Sequence, residues 1–313
     1  MITTNRRRCR IAGMLGACAC APIAVMAPSV HAAPYSVWAC ADGSGKRQPA
    51  ADWQSVRVSN ATGILNSSCG DSAALPTARL MAVSTTTASN PPVWSAVGWK
   101  VEAPPDTSIT GLDLWWTARL PITGTRERGL IEISAPHRIY RLEAPPDLGG
   151  WFGDEARGPG SEAIAYSERN HQAYRGLRTP TVTLMAWCVE YCTTPPGVND
   201  GVVGVIEAYR IKTTVEDPST PTGSATGLLE GTRISAPIAV RADASDVGGG
   251  VREISLRIDD RVVDRTAPGG DCADVDASNN DPHEYSRMQP CPSQQSAQLT
   301  LSPSPSLMAS ATW

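Results

Sequence analysis

The stretch with the most chemistry to offer is Leu112-Asp113-Leu114-Trp115-Trp116-Thr117-Ala118-Arg119-Leu120. Read as a strand, its two-residue period sends Leu112, Leu114, Trp116, Ala118 and Leu120 to one face and Asp113, Trp115, Thr117 and Arg119 to the other. An indole set between a carboxylate and a guanidinium suits a sugar ring, offering an apolar platform for C–H groups and polar edges for hydroxyls. Asp113, Trp115, Thr117 and Arg119 are therefore the candidate ligand-binding residues. Trp151, in Gly149-Gly150-Trp151-Phe152-Gly153-Asp154-Glu155, joins them because a loop this rich in glycine runs over the surface. The plain alternative for either indole is core packing, since Trp is mostly buried.

Catalytic and metal chemistry find less support. Outside the first 32 residues the histidines are His137, His171 and His283, with no Gly-x-Ser-x-Gly elbow and no His-Glu-x-x-His helix. Paired carboxylates across a sandwich would suffice for a glycosidase, but Asp and Glu are scattered over turns and polar faces. The run Asp274-Val275-Asp276-Ala277-Ser278-Asn279-Asn280-Asp281 alternates oxygen side chains as calcium loops do. It lacks glycine at the sixth position and has Tyr285 at the twelfth, so it reads as a polar loop and not an EF-hand. No catalytic residue, metal site or cofactor is expected.

The elements that must position these residues are short strands. Period-two alternation marks Tyr35 to Cys40, Ala78 to Ser84, Trp94 to Val101, Thr110 to Leu120, Leu130 to Ser134, Thr181 to Tyr191 and Val202 to Val215. Turn clusters such as Pro91-Pro92, Ala103-Pro104-Pro105-Asp106 and Thr194-Pro195-Pro196-Gly197 separate them by removing donors and fixing φ. With 26 prolines and 27 glycines there is little room for long helices, and Glu162 to Tyr174 reads as one short helix or a strand plus loop. The fold class is all-β: a β-sandwich or jelly-roll domain over residues 34–215, a linker at 216–222, then residues 223–313.

Compartment follows from the amino terminus and the cysteines. Arg6, Arg7, Arg8 and Arg10 precede an apolar run from Ile11 to Ala27 and the cleavage-like Val30-His31-Ala32, so residues 1–32 read as an export signal. A minor alternative is lipid anchoring through Cys18, after Leu15-Gly16-Ala17. Three of the nine cysteines lie in this leader. The other six fall into local pairs in sequence order, Cys40 with Cys69, Cys188 with Cys192 and Cys272 with Cys291, although spacing alone leaves other connectivities open. An exported chain keeps such disulfides. Removing the leader's four Arg moves the formal charge from −4 to −8, which disfavours nucleic acid as a partner. No segment is long and apolar enough for a transmembrane helix.

Beyond residue 222, Ala244-Ser245-Asp246-Val247-Gly248-Gly249-Gly250-Val251 followed by Ile254-Ser255-Leu256-Arg257-Ile258-Asp259-Asp260-Arg261-Val262-Val263 resembles the B, C and C′ strands of bacterial Ig-like domains. Ser302-Pro303-Ser304-Pro305-Ser306 stands where that family turns into its last strands, so the pattern expects an incomplete, truncated or frame-altered Ig-like β-sandwich. Together with Tyr35-Ser36-Val37-Trp38-Ala39-Cys40 and Gly98-Trp99-Lys100-Val101, the chain resembles uncharacterised secreted actinobacterial proteins that join a β-sandwich to an Ig-like domain. The resemblance implies architecture and location, and no activity. Three functions fit: a secreted non-catalytic binding or cell-surface module for a glycan or cell-envelope polymer, a secreted carbohydrate-active hydrolase, and a passive structural or adhesive wall protein.

Overall fold

The computed structural model describes residues 33–70, 78–85, 94–120, 128–135, 137–143, 150–152, 170–190, 202–227, 236–258, 261–267, 269–276 and 278–302. The expected export signal, residues 1–32, lies outside these, as does Cys192. The described chain is nearly all β, without an α-helix. Its first strands are β1 (Tyr35–Ala41), β2 (Arg47–Gln48), β3 (Gln54–Val58), β4 (Gly63–Ser67), β5 (Leu80–Thr85), β6 (Ser95–Glu102), β7 (Ser108–Leu120), β8 (Arg128–Ala135) and β9 (His137–Glu143). Then come β10 (Gly150–Phe152), β11 (His171–Thr179), β12 (Thr181–Glu190), β13 (Val202–Glu216), β14 (Thr222–Thr226), β15 (Ile238–Ser245), β16 (Ser255–Ile258), β17 (Arg261–Arg265), β18 (Glu284–Tyr285) and β19 (Gln294–Leu301).

Two sheets form the sandwich. The larger has the order β10-β7-β13-β1-β18, with β11 also on β7 and with β5 on β13; the smaller is β3-β6-β12-β8-β9. The long strands β7 and β13 run antiparallel at its centre, and their outer edges are each shared by two shorter strands. Alternation then does what the sequence requires. Leu112, Leu114, Trp116 and Ala118 of β7 face inward, against Val97, Trp99 and Val101 of β6 and Val182, Leu184 and Ala186 of β12, in one apolar cluster. That cluster is the principal stabilising contact, worth about 25 cal/mol for each Å² of apolar surface taken from water.

Cys40 breaks the alternation of β1. Its φ of 66° turns the side chain into the core, where it is joined to Cys69. Cys272 is joined to Cys291, and Cys188 is also disulfide-bonded.

The chain past residue 222 divides its strands between two places. β14, β15 and β19 make a three-stranded sheet, and β16 with β17 a hairpin, around a small cluster of Val240, Leu299 and Leu301. By contrast β18, inside the span expected to be Ig-like, pairs parallel with β1 of the larger sheet, Ser36 opposite Glu284. Tyr285 and Met288 lie in the main core, and the Tyr35 hydroxyl donates to the Met288 carbonyl at 2.6 Å. The linker residue Asp217 is buried and accepts from the Gly249 backbone N–H at 2.7 Å. Residues 284–288, which follow residues 216–222 in the chain, thus pack against the larger sheet.

Candidate functional site

Facing away from that core, the larger sheet carries a second layer of large side chains. Register aligns it in rows: His171 of β11 beside Trp115 of β7 beside Arg210 of β13, then Ala173, Asp113, Lys212 and Trp38 in the next row. A β-bulge between Ala208 and Arg210 inserts an extra residue in β13. Tyr209 and Arg210 consequently share the outer face, the kind of re-aiming that bulges produce. The step from Ala208 to Ile211 in the apolar pattern is the sequence signal of that bulge.

The layer is built around Trp115. Its ring stacks on the His171 imidazole with centroids 4.2 Å apart and 16° between planes. From the opposite neighbour the Arg210 guanidinium carbon lies 5.0 Å from the indole centroid, and Trp38 sits tilted at 6.3 Å. Lys212 Nζ is 5.0 Å from the Trp38 centroid. Both contacts have the distance of cation–π attraction.

Asp113, Glu207 and Glu284 of this face each have a cation. Asp113 Oδ1 accepts from Arg175 Nη2 at 2.7 Å and lies 2.9 Å from His171 Nε2. Glu207 pairs with Arg79 Nε at 2.9 Å, and Glu284 with Lys212 Nζ at 2.7 Å. The Tyr209 hydroxyl donates to Glu207 Oε2 at 2.9 Å and lies 3.0 Å from Thr117 Oγ1. Burial, and then the Glu207 charge, push the Tyr209 phenol far above its ordinary range.

The sequence-expected residues fare differently. Asp113, Trp115 and Thr117 do share the face opposite Trp116. That face is not an open platform at Trp115, whose exposure is only 7%. The physical reason is cover from both flanking strands: His171 and Arg210 occupy its sides, and Trp38 closes toward it. Arg119 and Trp151 are register partners on β7 and β10. Trp151 is thus in an edge strand and not in the glycine-rich loop expected for it, while the side chains of both residues lie outside the described set. Sequence reasoning missed Trp38, His171, Glu207, Tyr209, Arg210, Lys212 and Glu284. Trp38 was detectable, since it shares the phase of Ser36 in β1, whereas His171 is brought in only by strand pairing.

Chemically the arrangement can stack and hydrogen-bond. His171 and Asp113 form a base–carboxylate pair beside Trp115, Ala173 and Arg175. Among the described residues no cluster of three or more His, Cys, Asp or Glu could hold a metal ion, and no helix is long and apolar enough to cross a membrane.

No family model matches the chain, and no curated protein matches it. Among solved structures it is similar to the C-terminal family 22 carbohydrate-binding module of Clostridium thermocellum Xyn10B. The identity is 12% and the TM-score 0.22, over 54% of this chain and 88% of that one. It is also similar to a xylan-binding domain of the same module family, at 11% identity and a TM-score of 0.23, over 54% of this chain and 89% of that one. Likenesses of this size leave the functional reading to the chain's own side chains.

Proposed function

We propose that the protein is a secreted, non-catalytic carbohydrate-binding module whose ligand docks on the outer face of the larger sheet. One observation carries the reading: Trp38, Trp115 and Tyr209 form an aromatic layer outside the main apolar cluster, interleaved with charged side chains. It is a layer separate from the core that the opposite face of the same strands supplies. His171, the outward layer of the Trp115 stack, has a side chain 27% exposed, and Arg175 beside it is 61% exposed. These two offer the accessible ring and donors for a sugar, with Lys212 at the other side. The cystines fit an oxidising, extracellular compartment.

The experiment is titration of the mature protein with soluble xylan, β-glucan, mannan, pectin and cell-envelope polysaccharide, beside a reducing-end assay on the same samples. Binding of at least one polymer without release of reducing ends is expected, weakened by His171→Ala. Release of reducing ends would establish a hydrolase. Retention of none, by protein with an intact thermal transition, would leave the passive structural role.

A further inference from the structure

Arg210 is the odd member of the outer face. Arg79, Arg175 and Lys212 each contact a carboxylate, whereas Arg210 has none among the described residues. Its Nε is buried without an acceptor, and its contact is the Trp115 ring. Trp38, 5% exposed, likewise has a buried Nε1–H with no acceptor. The face therefore holds two unfilled donors, while Asp113, Glu207 and Glu284 are all engaged. An unpaired donor in such a place destabilises the protein, more so when it is charged.

Resting on the carbohydrate-binding reading, we infer that the ligand is an acidic glycan whose uronate carboxylate is received by the Arg210 guanidinium. A neutral sugar hydroxyl both donates and accepts, so it suits a site with acceptors and donors to spare. A carboxylate only accepts, and its two oxygens match the planar fork of Arg. Trp115 supports the guanidinium from its π face, and because Nε is buried the carboxylate is received at the two terminal nitrogens.

Access to the fork comes from the turn after β1. Gly45, at φ +85°, carries no side chain; a Cβ there would meet only Arg210 Nη2, at 3.8 Å. The turn thus reaches the guanidinium with a residue that has no side chain to cover it. The chain's excess of acid, −4 over the whole sequence, opposes general attraction to polyanions. A preference for acidic polymer must then be local to this group.

The test uses polygalacturonate and glucuronoxylan, each beside its carboxyl-reduced polymer, with the wild-type protein, Arg210→Gln, Gly45→Asp and Gly45→Asn. Asp and Asn both tolerate positive φ, and only Asp brings a carboxylate to Arg210. The expected acidic-to-reduced affinity ratio for wild type is about 10- to 100-fold, the worth of a charge-assisted hydrogen bond. It falls to about one in Arg210→Gln and drops in Gly45→Asp but not in Gly45→Asn. Equal affinity for acidic and reduced polymers, or a ratio that survives Arg210→Gln, overturns the uronate assignment and leaves the carbohydrate reading standing. Binding of neither member of either pair overturns the assignment, and the wider panel then decides the carbohydrate reading separately.

Discussion

Trp115 and Trp116 are consecutive, yet the first stacks on His171 outside the sandwich core while the second lies within it, its Nε1 donating to Gln172 Oε1 at 3.3 Å. Trp116→Ala opens a cavity among leucines and should cost about 3 to 5 kcal/mol. Trp115→Ala also removes a buried ring, but His171 and Arg210 can move into the space or hydrate. Its cost should be smaller, about 1 to 3 kcal/mol. Urea unfolding of the two variants checks the order; equal losses would show the outer layer to be as firmly packed as the core.

The two phenols raised by burial predict an alkaline limit. Tyr209 is shifted by burial and Glu207, Tyr35 by burial and then by Asp217 and Asp246, both upward from 10.0. The unfolded chain releases these protons first. Their contribution is full below pH 10, the unfolded value, and is lost as pH rises toward the folded values. Stability measured across this range should therefore fall with pH, and Tyr209→Phe should flatten the slope. An unchanged slope in that variant would place the effect elsewhere.

Glu284, whose side chain is 2% exposed, depends on Lys212 Nζ and on Asn279 Nδ2, each at 2.7 Å. Lys212→Met strands a buried carboxylate and should cost about 3 kcal/mol, whereas Glu284→Gln, leaving a lysine able to reach water, should cost less. The difference is read from thermal unfolding at neutral pH.

Removing the Cys272–Cys291 bridge, which spans a sequence separation of 19 residues, should cost about 2 to 4 kcal/mol. The bridge ties the segment that carries β18. Paired Ser substitutions should raise amide exchange at Ser36 and Val37 more than at Leu112 or Leu114. Uniform exchange across the sheet would mean that β18 does not act as a separate edge.

Much of the sandwich was legible because alternation is a local property. Tyr35–Ala41, Ser108–Leu120 and Val202–Glu216 all show it, interrupted by Pro and Gly. The two-residue β18 has no pattern of its own and exists only because β1 offers an edge. Similarly, the grouping of Asp113, Trp115 and Thr117 could be read from phase. The closure over Trp115 could not, since it depends on which strands flank β7 and on the bulge that turns Arg210 outward.

The partnership of β1 with β18 also sets a clock. Tyr35 and its acceptor Met288 are 253 residues apart, and other partners of β1 lie in β13. At typical synthesis rates of 5–20 residues per second, roughly 10 to 50 s separate the appearance of the first strand from that of its last neighbour. During that interval the apolar strand waits with the edge that takes β18 open, competent to pair with a neighbouring chain. Any factor that shields β1 until residue 288 emerges should therefore raise the yield of folded protein more than one that acts on the finished sandwich.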